Sequence, residues 1–153
     1  MKKLSIYFLV IMCLFITGCG NNKKKNIISL DDFDKILTDN GFTVSDNMNN
    51  YSSVDYIVEA KIAVMDDIEI EMVKYTTNDY ATAVQDKQIE SFNLLKSTGA
   101  HEDKEKGSNY YKYVLVSNNR YMINSRVDNT LVFCKTLLEN KEKVEKVYSI
   151  LGY

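Results

Sequence analysis

Few residues in this 153-residue chain carry the chemistry of catalysis or metal binding. The single histidine, His101, stands beside Glu102 and Asp103 in the segment Gly99-Ala-His-Glu-Asp-Lys104. A metal centre would need further ligands at a recognised spacing, and a Ser-His-Asp arrangement would have to be assembled around this one polar position. We therefore read His101 as a solvated loop residue and expect no catalytic set, metal site or cofactor. Cys134 follows Phe133 in a strand-like run with no histidine or second cysteine nearby. It reads as a small buried hydrophobe, because a reactive thiol needs exposure and a lowered pKa. The paired carboxylates Asp31/Asp32 and Asp66/Asp67 suit a helix start and a hairpin turn. No Asp-x-Asp-x-Asp-Gly loop suggests calcium, and the six glycines are too scattered to cradle a phosphate.

Four residues remain as candidates for binding: Tyr110, Tyr111 and Tyr113 of the run Tyr-Tyr-Lys-Tyr, and Arg126. Tyrosine offers a large contact area with a polar tip, which suits an interface. It equally suits ordinary packing on a strand, where we expect Tyr111 to face away from Tyr110 and Tyr113. A guanidinium in mid-sheet needs a fixed carboxylate or carbonyl partner, so Arg126 is either a structural clamp or a ligand contact.

The elements that must position these residues follow from hydrophobic patterning. Ser29-Leu-Asp-Asp32 has the form of a capping box, and Leu30, Phe33, Ile36 and Leu37 recur at helical spacing until Gly41. A short strand over 42–45 follows. Val58, Ala60, Ile62 and Val64 alternate, Asp66-Asp67 turns the chain, and Ile68, Ile70 and Met72 alternate again. This predicts a hairpin with one wet face. Asn78-Asp79 opens a second helix running through Lys96, with Tyr80, Ala81, Val84, Phe92 and Leu95 on one side. The polar stretch 98–108 reads as a loop. Strands over 110–117, 120–127 and 130–136 are joined by Asn118-Asn119 and Asp128-Asn129, residues that tolerate positive φ. A closing helix from about Glu139 turns Val144, Val147 and Leu151 inward and stops at Gly152. Strands joined by tight turns are antiparallel, so the fold class is α+β with helices packed on the sheet, in the order αβββ-αβββ-α. That order is similar to the β-lactamase-inhibitor-like and TATA-box-binding-protein-like architectures, a likeness of elements that carries no function.

The N-terminus is of a different kind. Met1-Lys2-Lys3 precedes Leu4 to Ile16, a run without charge. A membrane-crossing helix needs about 20 apolar residues, so this run has instead the length of a signal-peptide core. Ile16-Thr17-Gly18-Cys19 then resembles the lipobox of bacterial lipoproteins. The resemblance implies diacylglyceryl transfer to Cys19 and cleavage before it. Residues 1–18 become a signal peptide, 19–28 a lipidated tether and 29–153 a single α+β domain. Cys13 would leave with the leader and Cys19 be consumed by lipid, so Cys134 would have no partner for a disulfide.

Loss of Lys2 and Lys3 would reduce the 19 basic residues to 17 against 21 acidic ones, a formal charge of −4. That balance disfavours a nucleic-acid surface. Lys23-Lys24-Lys25 is either a patch drawn to an anionic leaflet or a plain solvated tether.

Taken with the leader, the segments Asp32-Phe-Asp-Lys35, Arg126-Val-Asp-Asn-Thr130 and Leu151-Gly-Tyr153 resemble small uncharacterised lipoproteins of low-GC Gram-positive bacteria. That resemblance implies anchoring on the outer, extracytoplasmic face of the cell membrane and no known activity. The resulting expectation is a non-enzymatic domain for protein–protein or envelope interaction. The alternative is a small-ligand-binding lipoprotein with a pocket between sheet and helices.

Overall fold

The computed structural model describes residues 23–153. The leader, Cys13, Cys19 and the first residues of the tether lie outside the described residues. The chain forms α1 (Leu30–Asp39), β1 (Thr43–Asp46), β2 (Ile57–Met65), β3 (Ile68–Tyr75), α2 (Asn78–Asn93), β4 (His101–Lys106), β5 (Tyr110–Ser117), β6 (Arg120–Val127), β7 (Thr130–Leu137) and α3 (Lys141–Leu151). Short 3₁₀ turns, Met48–Tyr51 and Leu138–Asn140, precede β2 and α3. All seven strands join one antiparallel sheet in the order β1-β2-β3-β7-β6-β5-β4. The fold is α+β, with helices on an antiparallel sheet.

Alternation gives this sheet two dry faces. On the front face, Ile70, Met72, Ile123 and Val132 pack against Phe33 and Leu37 of α1 and Val144 and Tyr148 of α3. On the back face, Val73, Tyr75 and Leu131 meet Ala81 of α2, while Leu115 and Met122 meet Phe92. Each large apolar side chain buried in this way contributes about 1.5–3 kcal/mol. α1 starts on a capping box, in which the Ser29 hydroxyl accepts from the Asp32 amide at 3.0 Å and donates to its carboxylate at 2.7 Å. α3 ends at Gly152, whose φ of 78° is left-handed, and this turns Tyr153 back into the core. The three tight turns have Asp66, Asn118, Asn119 and Asp128 at positive φ, as their residue types predict.

Four expectations need correction. The stretch 98–108 is not all loop: His101–Lys106 is β4, paired with β5. It holds no apolar residue because it is an edge strand, where charge deters pairing with another sheet. The element order is therefore αβββ-αββββ-α. The two apolar sets of the β2–β3 hairpin do not share one dry face: Ile68, Ile70 and Met72 are buried on the front, whereas Ala60, Ile62 and Val64 pair with Val73, Glu71 and Glu69 and lie on the more open back face. Ala60 is buried there, but Val58 at a bulge and Val64 near the turn are 45% and 36% exposed. The opposite face is sealed by α1, from which Asp34 reaches Lys61 at 2.8 Å. α2 stops at Asn93, leaving Leu94 and Leu95 outside the helix and exposed, and Tyr80 too is exposed. The final helix begins at Lys141 rather than near Glu139.

Two hydroxyls on the front face, those of Ser125 and Tyr148, are buried without a partner among the described residues. Burial drives the Tyr148 pKa well above the usual value. An unpaired buried hydroxyl costs about 1–3 kcal/mol. Tyr148→Phe is therefore expected to raise the melting temperature, measured by calorimetry, and a lower one would show that the hydroxyl has a partner.

Candidate functional site

Tyr111 and Arg126 are cross-strand neighbours on β5 and β6, as are Tyr113 and Asn124. All four side chains therefore lie on the back face, under α2. This corrects the expected placement of the tyrosines: with a period of two, Tyr111 and Tyr113 share a face and Tyr110 takes the other. Tyr110 is buried in the front core, where its hydroxyl donates to Glu105 at 2.8 Å and the Lys25 ammonium lies 4.7 Å from its ring centre. Tyr113 is buried too, donating to Asn93 at 2.7 Å. Only Tyr111 and Arg126 meet, in a shallow cleft of about 400 Å³ lined also by Thr82, Gln85, Asp86 and Lys106.

Beneath that cleft runs a chain of amides. Gln85, four residues after Ala81 on the buried side of α2, is 1% exposed. Its Nε2 donates to the Tyr111 carbonyl at 2.8 Å and to Asn124 Oδ1 at 2.9 Å. Its Oε1 accepts from Arg126 Nε at 3.1 Å. Asn124 Nδ2 in turn donates to Gln88. Arg126 Nη1 donates to Asn78 Oδ1 at 2.7 Å and to the Asp128 carbonyl at 3.1 Å. Burial lowers the guanidinium pKa, with Asp128 and Asp86 opposing at longer range. Arg126 is thus held by neutral oxygens and pins the start and middle of α2 to the β6–β7 turn. Among the described residues no carboxylate forms an ion pair with it. Hydrophobic patterning does not single out Gln85, Gln88 or Asn124; glutamines at positions 85 and 88 on one helix are the sequence signal for this network.

A second polar site sits at the open end of the back face. Glu71 Oε1 accepts from Asn47 Nδ2 at 2.5 Å and from the Tyr51 hydroxyl at 2.7 Å. No cation pairs with it among the described residues. Burial raises the Glu71 pKa, the two hydrogen bonds oppose that, and Glu69 adds to it. Because the folded pKa exceeds the unfolded one, the charged carboxylate destabilises the fold as pH rises through this range. Glu71→Gln keeps the accepting oxygen without the charge. It is expected to raise the melting temperature at pH 7, with a gain that shrinks as pH falls below the usual glutamate range. An equal gain at both ends of a pH series of melts would exclude this origin.

The tether is docked rather than free over its described length. The Ser108 amide and hydroxyl donate to the Lys23 carbonyl at 3.1 and 3.3 Å. Asn109 grips both backbone groups of Lys25, accepting from its amide at 3.0 Å and donating to its carbonyl at 2.9 Å. Gly107 makes room: a Cβ there would lie 2.4 Å from the Lys23 carbonyl oxygen and 2.1 Å from the Tyr110 ring.

The remaining candidates do not converge. His101 is exposed on β4, and alternation turns Glu102 to the opposite face, where Lys104 pairs with it at 2.9 Å. The Cys134 thiol is buried and pushed up to about 12 by that burial. Asp31 and Asp32 lie in the first turn of α1, and Asp67 accepts from Asn140 at 3.1 Å. Among the described residues no group of three or more His, Cys, Asp or Glu side chains is placed to hold a metal ion.

No protein-family model matches the chain, and no curated protein matches it either. Among solved structures, the crystal structure of a GTP binding regulator from Thermotoga maritima is similar at a TM-score of 0.48 and 18% identity, covering 82% of this chain and 88% of that one.

Proposed function

We propose that the chain is a lipid-anchored lipoprotein on the outer face of the cytoplasmic membrane, whose domain acts by contact with another envelope protein. The leader and the lipobox ending at Cys19 support the address. One observation carries the mode of action: apolar side chains are left open at the end of the sheet bearing the β2–β3 and β5–β6 turns. Val64, Leu94, Leu95 and Leu137 are 36%, 86%, 37% and 37% exposed there, and Ile62 and Phe133 beside them are half-buried. Glu69 and Lys135 are exposed on the same face and add charge beside them. Apolar side chains bordered by charge are what protein interfaces are made of.

Two measurements test the proposal. Intact mass of the membrane fraction should show cleavage before Cys19 and a diacylglyceryl group, both lost in Cys19→Ala. A mature chain that begins elsewhere would refute the anchor. A photo-crosslinking residue at position 64 or 137 in living cells should trap one discrete envelope protein, whereas one at position 146 on α3 should not. Equal trapping at all three positions would refute the interface.

The second reading is binding of a small acidic ligand in the cleft beside Arg126. It is favoured by the guanidinium having only neutral oxygens for partners, with Lys106 close by. Saturable stabilisation of the purified domain by small carboxylic acids, lost in Lys106→Ala, would support this reading over the first.

A further inference from the structure

The same exposed apolar residues that suggest a partner at one end of the sheet have counterparts at the other. This second end carries the β4–β5 turn, the β6–β7 turn, the end of β3 and the start of β2, held together by backbone hydrogen bonds. Asp128 N donates to the Asn109 carbonyl at 2.8 Å, Tyr75 N to the Asn129 carbonyl at 2.9 Å, and Thr76 N to the Tyr56 carbonyl at 2.9 Å. Tyr80, in the first turn of α2, stacks on Tyr56 with ring centres 4.7 Å apart and planes 9° from parallel. Both rings are open to solvent, at 47% and 36% exposed, as are Val58 at 45% and Ile27 at 43%. Ile150, in the last turn of α3, is 47% exposed. Tyr153 just beyond it bonds to Thr130 at the β6–β7 turn.

The docked tether ends at this same place. Lys23 and Lys25 are held by Ser108 and Asn109 in the β4–β5 turn. Four residue steps separate Lys23 from Cys19, and a fully extended chain spans at most about 14 Å over that length. A lipid on Cys19 would therefore draw this end of the sheet against the bilayer. What is exposed there suits the interface: tyrosine rings favour the headgroup level, and Lys23 and Lys24, both exposed, would add attraction to an anionic leaflet.

We infer that the tether end of the sheet is a membrane-seating surface, with Ile27, Tyr56, Val58 and Tyr80 resting in the headgroup region of the bilayer. This inference rests on the lipid anchor proposed above. It adds that the domain stands on the membrane in one orientation, with Val64, Leu94 and Leu137 pointing away from it.

The test uses the full-length chain expressed in a Gram-positive host and extracted from its membranes. The protein is reconstituted into vesicles of phosphatidylcholine and phosphatidylglycerol that include a phospholipid with a photoactivatable group near its headgroup. After illumination, lipid adducts are mapped by peptide mass spectrometry, and the intact mass of the same sample reports acylation of Cys19. We expect several-fold more adducts on the peptides holding Ile27, Tyr56–Val58 and Tyr80 than on those holding Leu94 and Leu137. With Cys19 acylated, adducts that are absent, evenly spread or concentrated at the far end would overturn the seating surface and leave the anchor standing. An unacylated Cys19 would overturn the anchor and the inference together.

Discussion

Gln85→Leu is expected to remove about 3 kcal/mol of stability, because leucine fills the space and satisfies none of its neighbours. The Gln85 amide serves three partners at once, donating to the Tyr111 carbonyl and Asn124 Oδ1 and accepting from Arg126 Nε. An unsatisfied buried polar group costs about 1–3 kcal/mol, and here one of them belongs to a half-buried guanidinium. Charge makes the exchange asymmetric. Gln85→Glu would offer Arg126 a carboxylate but set an oxygen against the oxygens of Tyr111 and Asn124, so it too is expected to destabilise. Urea denaturation at neutral pH checks both, and a loss below about 1 kcal/mol for Gln85→Leu would mean that the network is replaceable by packing. A double-mutant cycle with Arg126→Met should show strong coupling, since the two residues share one bond.

Gly107→Ala comes second, at about 1–3 kcal/mol, and its effect falls in two places. The added Cβ would meet the Lys23 carbonyl oxygen at 2.4 Å and the Tyr110 ring at 2.1 Å. Neither is a free side-chain end: one is backbone, and the other is a buried ring tied to Glu105. The tether is held at the surface by hydrogen bonds from Ser108 and Asn109, whereas the ring is packed in the core, so the tether is expected to leave first. Hydrogen exchange should then show lost protection at the Lys25 amide, with the amides of β6 and β7 still protected. Asn109→Ala separates the two effects, because it releases the tether without crowding Tyr110. Retained protection of Lys25 in Gly107→Ala would place the strain in the Tyr110 ring instead.

How far these features could be read in the sequence depended on whether a residue's partner was near it. The turns at Asp66-Asp67, Asn118-Asn119 and Asp128-Asn129 were legible because positive φ is a local property of residue type. So was the capping box of Ser29 and Asp32, three residues apart. β4 was not, since His101–Lys106 has no apolar alternation and becomes a strand only by pairing with β5. The placement of the tyrosines needed only counting, and counting correctly puts Tyr111 with Tyr113. Arg126 was legible as a clamp or a contact, but its grip on Asn78 spans 48 positions and could not be paired in advance. The same holds for Gln85 and Asn124, 39 positions apart, and for the 84 that separate Lys25 from Asn109.

The strand order also sets when this chain can fold. β1, β2 and β3 form one meander and β4 to β7 another, and among the described residues the strands of the two pair only between β3 and β7, as in Ile70 with Cys134. A chain emerging N-terminus first presents β3 with an unpaired edge until β7 follows, more than fifty residues later. Closing such a distant pairing is slow, because the loop entropy is lost before the contacts form. A nascent chain that stops short of Thr130 therefore holds two half-sheets, each with an apolar strand open to the wrong neighbour.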